Sequence, residues 1–216
     1  MKTGTQIFVL FLLMVLSFSC DNQGHPAGFD YGKVENNKYT NSFFNFEMSV
    51  PTNWSVQSRE QTDNLSKIGK DMVSGSNKKM KEVLDASEIN SANLLAAFKY
   101  DLKTAVQYNP NLMIVAENLK NAPDIKTGGD YLAHTRNFLK QSQVPHDHID
   151  DASKKTTIGG KEFYSMSVIV NYMGLKIHQT YYATILDGFS VVTTISYIDE
   201  NQKKELQNAV NSITFN

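Results

Sequence analysis

The sequence predicts an α+β fold: a three-layer α/β/α sandwich around a largely antiparallel sheet, closed by a C-terminal three-stranded meander and a final helix. Three alternating runs, Lys161–Tyr172, Leu175–Leu186 and Phe189–Tyr197, are separated by Met173-Gly174 and Asp187-Gly188, pairs suited to two-residue hairpin turns. Two-residue turns set the register. One side then gathers Tyr164, Met166, Val168 and Val170 with Ile177, Tyr181, Ala183 and Ile185, and with Ser190, Val192, Thr194 and Ser196. The other gathers Phe163 and Ile169 with His178, Thr180, Tyr182 and Thr184, and with Val191, Thr193, Ile195 and Tyr197. Neither side is purely polar, so both are expected to be covered in part by helices.

The elements before and after the meander follow in order. From residue 38 the apolar residues alternate, Phe44, Phe46, Met48 and Val50 sharing one face, until Pro51-Thr52-Asn53 turns the chain ahead of Trp54 and Val56. Residues 59–87 place Leu65, Ile68, Met72, Val73, Met80, Val83 and Leu84 at mostly helical intervals. This predicts one helix broken near Ser74-Gly75-Ser76, or two short ones. Runs of strand length follow at 93–100 and 112–119, on either side of a polar stretch holding Asn109-Pro110. Thr127 stands three residues before Asp130 in capping-box spacing. Tyr131, Leu132, Thr135, Phe138 and Leu139 continue a helical stripe, so a helix is expected over 128–142. Asp199 with Gln202 caps a last helix whose Leu206, Ala209, Val210 and Ile213 share a face.

The N-terminal stretch has the order of a secretory signal: one charge at Lys2, an apolar run over 7–16, then Ser17-Phe18-Ser19. The run is about half the ~20 residues a helix needs to cross a bilayer. Cys20 is the chain's single cysteine, and Leu16-Ser17-Phe18-Ser19-Cys20 resembles a bacterial lipobox. Its Ser17 and Phe18 in place of commoner residues resemble the looser pattern of Bacteroidetes lipoproteins. The expectation is a signal peptide over 1–19, cleavage before Cys20, and acyl chains on that cysteine as the anchor. Residues 20–37, polar and rich in Gly, Asn and Asp, are expected to be a lipidated flexible tether, with one globular domain over 38–216. The protein is then exported and held at the cell envelope, on its periplasmic or surface face. The net charge of −1 becomes −2 when Lys2 is lost with the signal. Near neutrality without a basic run speaks against nucleic acid as a partner.

The aromatic-rich strand and turn at 39–54 (YTNSFFNFEMSVPTNW) resemble the PsbP-like family. So does the closing run 160–215, with Tyr181-Tyr182, Asp187-Gly188-Phe189 and Ser212-Ile213-Thr214-Phe215. That family includes the extrinsic photosystem II protein, the Ran-binding Mog-type proteins and many bacterial lipoproteins. The resembling pieces cover under half of the mature chain. The resemblance implies a sandwich fold and a non-catalytic binding or assembly role, and it brings no catalytic motif.

Several side chains are candidates for chemistry. His146-Asp147-His148 with Asp150 and Asp151 is the densest set of metal ligands. In an extended segment the two imidazoles, with Asp150, can share one ion, whereas in an exposed loop after Pro145 they are simply solvated. His178 lies mid-strand with Tyr182 and Tyr197 nearby, as a pocket base or as a histidine satisfied by a hydroxyl. Phe43, Phe44, Phe46 and Trp54 form either a ligand-stacking patch or core. Ser76-Asn77-Lys78-Lys79 and Lys126-Thr127-Gly128 match penicillin-recognising motifs in letters only, since the second opens a helix where those enzymes have a strand. No nucleophile and base stand at catalytic spacing, and no Gly-rich loop joins a strand to a helix in a phosphate-binding pattern. No cofactor is expected. The reading is a non-catalytic, lipid-anchored envelope protein that meets the membrane through Cys20 and binds an unidentified protein or small molecule, with Trp54, His178 and Tyr182 facing the ligand. The alternative is an envelope hydrolase or metal-binding protein using the 146–151 loop.

Overall fold

The computed structural model describes His25, Pro26 and residues 28–216, so the expected signal peptide and Cys20 lie outside the described residues. In chain order the elements begin with β1 (Lys33–Glu35), β2 (Lys38–Asn41), β3 (Phe46–Ser49) and β4 (Ser55–Val56). Then come α1 (Arg59–Ser74), α2 (Lys78–Asn90), β5 (Ser91–Phe98), β6 (Asn111–Asn118) and α3 (Gly128–Gln141). The chain ends with β7 (His146–Ile149), β8 (Lys154–Ile158), β9 (Lys161–Tyr172), β10 (Leu175–Leu186), β11 (Phe189–Tyr197), α4 (Glu200–Asn211) and β12 (Thr214–Phe215).

The meander forms with the expected register. Val170 faces Ile177 across β9–β10, and Ile185 faces Ser190 across β10–β11. Both turns put two residues in the left-handed region, Met173 and Gly174 at φ 52° and 80°, Asp187 and Gly188 at 48° and 79°, as type I′ hairpins require. Around this meander an eight-stranded sheet runs in the order β4-β5-β6-β11-β10-β9-β7, with β8 also paired to β9.

Each helix starts on a side-chain cap. Ser58 accepts from the Gln61 amide, Asn77 from Met80, Thr127 from Asp130 and Asp199 from Gln202, satisfying amides that have no partner within the first turn. The expected break falls at Gly75, whose φ of 50° ends α1. At the start of α3 the backbone comes so close to β10 that a Cβ on Gly128 would stand 2.1 Å from the Ala183 carbonyl oxygen. Only glycine lets the helix seat there.

One face of the large sheet carries α3 over β9 and β10, closing a cluster of Leu132, Met166, Val168, Val170, Ala183 and Val192. The α1–α2 pair lies on the same face over β5 and β6, because Val115 beneath it pairs with Val192. The opposite face carries α4 across β11 together with a second sheet, β1-β2-β3-β12, that the sequence reading did not separate. Tyr39 pairs with Met48 and Phe46 with Phe215. One side of this small sheet is therefore apolar, and it closes the larger cluster with Trp54, Phe163, Phe189, Ile195 and Leu206.

Part of the expected tether is folded. Phe29, Tyr31 and Val34 pack on the larger cluster. β1 pairs with β2 through an Asn36-Asn37 turn, both residues at positive φ. Residues 28–37 thus belong to the folded domain, because three apolar residues spaced through a polar stretch are enough to dock them.

Met173 holds a side chain that is 90% exposed in a left-handed backbone conformation, φ 52°, which costs an L-residue about 1–2 kcal/mol. Met173→Asn keeps the turn and relieves part of that strain. It is expected to raise stability by about 0.5–1 kcal/mol, read as a higher urea midpoint at unchanged slope.

Candidate functional site

Residues 146–149 are not a loop. They form edge strand β7 on β9, interrupted by a bulge: His146 pairs with Val170, while His148 pairs with Ile169, and Asp150 and Asp151 follow the strand. Successive residues of β9 point to opposite faces, so the bulge sends the two imidazoles to different sides of the sheet. A bulge of this kind re-aims side chains, and two-residue spacing alone does not reveal it. The expected metal set of His146, His148 and Asp150 is therefore not brought together. Among the described residues no three of His, Cys, Asp and Glu stand close enough to hold an ion.

What remains is a pair. His148 Nε2 lies 2.9 Å from Asp150 Oδ1, and the Ser167 amide donates to Asp150 Oδ2 at 2.9 Å. Burial works to raise the Asp150 pKa, but the bonds from His148 and Ser167 outweigh it and hold the carboxyl below its usual range. Arg136 Nε donates to the Asp150 carbonyl at 2.8 Å, tying α3 to this edge. His146, on the other face, is held below the usual histidine range by burial, opposed by a hydrogen bond with the Val144 backbone. Asp147 accepts from Asn171 Nδ2 at 3.3 Å and faces Lys176 at 3.7 Å.

His178, Tyr182 and Tyr197 share the α4 face as expected, but they do not converge. His178 and Tyr182 are four residues apart on β10, about 13 Å along a strand. His178 stacks on Tyr197, ring centroids 5.6 Å apart and 8° from parallel. Tyr182 lies partly under α4. Burial raises its pKa, against the opposing effect of its bond with the Gln207 side chain.

Trp54, expected at a ligand-facing surface, is buried in the core. Its indole Nε1 donates to Glu205 Oε1 at 3.0 Å, and Lys99 Nζ meets Glu205 Oε2 at 2.8 Å. Alternation in the strand identified the aromatic face, but what covers it is set by α4, some 150 residues away in sequence. Phe44 and Phe46 are likewise core. Phe29, Phe43, Phe44 and Phe189 form one cluster of rings, the Phe29–Phe43 and Phe43–Phe44 centroids each 4.9 Å apart.

A second carboxylate, not singled out in the sequence, joins the layers on the other side. Glu117 on β6 accepts from Tyr131 of α3 at 2.7 Å and from Ser87 of α2 at 3.0 Å. Burial and the facing Glu117 carboxylate push the Tyr131 hydroxyl well above the usual tyrosine range. The only cue in the sequence was one acidic residue directly after the apolar run of β6. Beneath the α1–α2 pair lies an open cavity of about 250 Å³ lined by Ser66, Lys70, Ser87, Glu88 and Val115. Lys70 reaches Asp85 at 2.6 Å and Glu88 at 2.5 Å at its edge.

Two outcomes follow. Trp54→Phe removes a bond to a carboxylate and is expected to cost about 1–3 kcal/mol in urea unfolding. Because the folded pKa of Asp150 is depressed, its contribution to stability is complete above the unfolded carboxylate value of about 3.9. That contribution is lost as pH falls through the lower folded value. Asp150→Asn is expected to flatten this part of the stability–pH curve between pH of about 5 and 2, with no change in shape above it.

No family profile matches the chain, and no curated protein does. Among solved structures it is similar to the cyanobacterial PsbP (CyanoP) from Synechocystis, at 12% identity and a TM-score of 0.47, over 86% of this chain and 96% of that one. It is also similar to LpqN of Mycobacterium tuberculosis, described as involved in cell envelope biogenesis, at 12% identity and a TM-score of 0.39, over 58% and 78% of the two chains. A third similar structure, from Bacteroides thetaiotaomicron, aligns at 10% identity and a TM-score of 0.45 over 85% of this chain. The present chain spans about half the length of that protein, 49%.

Proposed function

We propose that the protein is a non-catalytic, lipid-anchored binding or assembly module of the bacterial cell envelope. The observation that carries this reading is the setting of Cys20: the chain's single cysteine, placed directly after a charged, then apolar, then small-residue stretch. The side chains that first suggested chemistry fit such a module, because each has a task in holding elements together. Asp150 binds the end of β7 to β9, Trp54 joins the turn before β4 to α4 through Glu205, and His178 stacks on its neighbour in β11. Two or more acyl chains on Cys20 make an effectively permanent anchor, so the module works at a membrane surface, where its local concentration is high.

Cys20→Ser tests the anchor. The native chain, expressed with its own leader in a bacterium that processes lipoproteins, is expected in the membrane fraction, with a mass showing cleavage before Cys20 and acyl groups on it. The variant is expected to carry no acyl mass. A native chain with an unmodified Cys20 thiol in the aqueous fraction sinks the proposal.

A further inference from the structure

We infer that the α1–α2 hairpin is the face the protein lays on the bilayer that carries its anchor. This rests on the acylation of Cys20 proposed above and adds the orientation of the domain. His25 is the first residue that the structure describes. His25 and Tyr31 line a cavity of about 220 Å³ together with Asp63 and Lys67 of α1 and Ile89 near the end of α2. Tyr31 is held there by Arg59 of α1, whose Nη2 donates to the tyrosine hydroxyl at 2.8 Å and whose guanidinium carbon sits 3.8 Å from the ring centroid. Phe29 is fixed in the aromatic cluster. Cys20 precedes His25 by five residues, and five residues of extended chain reach at most about 18 Å. An acylated Cys20 therefore keeps this side of the domain within about 18 Å of the lipid.

The helix pair there also exposes large apolar side chains. Within α1 and α2 the buried residues are Thr62, Ser74 and Met80, two of them polar. Ile68, Met72, Val83 and Ile89 are instead 58%, 49%, 57% and 62% exposed. Ile89 lines the cavity beside His25, Ile68 follows the Lys67 that also lines it, and Met72 shares a helix face with Ile68 one turn on. A helix pair that turns large aliphatic side chains outward fits insertion into the headgroup boundary. The charges nearby largely cancel. Lys70 pairs with Asp85 and Glu88, and Lys81 with Asp71. Lys67, Lys78 and Lys79 have no acidic partner among the described residues, and neither Glu60 nor Glu82 has a basic one. Contact is therefore driven by the apolar side chains and needs no anionic lipid. The exposed Tyr172 and Met173 sit at the tip of the β9–β10 hairpin, and β9 lies four positions from β5 in the sheet, so they stay clear of the bilayer.

The test places a tryptophan reporter on each surface of the full, acylated protein. M72W, I68W and M173W are reconstituted into phosphatidylcholine vesicles with and without brominated acyl chains. The buried Trp54 gives a constant background. M72W and I68W are expected to lose roughly half of their added emission to the bromolipid, and M173W none. If the protein floats with the vesicles and carries acyl mass but M72W and I68W are not quenched, the orientation is overturned while the anchor stands. A second copy or another protein then covers the hairpin. Equal quenching of M72W and M173W also overturns it. A chain without acyl mass that stays in the aqueous phase overturns both readings.

Discussion

Strand β11 has almost no contact with water on either side. It lies between β6 and β10 in the middle of the large sheet, and eight of its nine residues are buried, Thr194 being half-buried. A strand covered on both faces must have a layer on each. The rest of the molecule divides accordingly, with α3 and the α1–α2 pair on one face and α4 and the small sheet on the other. Burial at this depth tolerates polar side chains only where they find partners. Ser196 meets the Tyr108 hydroxyl, whereas the Ser190 hydroxyl is enclosed with no hydrogen-bond partner. The cost of that orphan is small beside the apolar surface the strand removes from water.

Much of this was legible in the letters, and for definite reasons. A two-residue turn leaves one register for the strands it joins, so Met173-Gly174 and Asp187-Gly188 located every side chain of the meander on its proper face. Caps at Thr127 and Asp199 placed helix starts in the same way. What escaped was short and polar. β7 (HDHI) and β8 (KKTTI) border the sheet, where water-facing strands carry charged residues to avoid pairing with strangers. Such strands lack the hydrophobic alternation that identifies a strand. β1 escaped because its partner had to be known first.

The candidate site shows a sharper limit. Residue types drew attention to His146, His148 and Asp150, but whether two imidazoles meet depends on one inserted residue in a strand pair, and no composition records that. Trp54 was ambiguous for a different reason: a strand's pattern tells which residues face the same way, not what lies opposite them. The two carboxylates that bridge the layers illustrate this. Glu117 gathers α2 and α3 onto β6, and Glu205 gathers Trp54 and Lys99 onto α4. Each is partly buried, so its value is in fixing how layers sit on one another more than in net stability.

The three-rung ladder between β1 and β2 has a mechanical consequence. Its pairs run from Lys33↔Thr40 at the open end to Glu35↔Lys38 beside the turn. A load drawn through the N-terminal segment first works against the ring contacts of Phe29. It then reaches the open end and peels the ladder one rung at a time, rather than shearing all its hydrogen bonds at once. Once the contacts of Phe29 with Phe189 and of Tyr31 with Arg59 have parted, the ladder opens before the strands of the large sheet take the load. The β1–β2 hairpin therefore acts as a mechanical fuse: a ladder of three pairs peels before the longer central strands do and leaves them in place for the contact to re-form when tension is released.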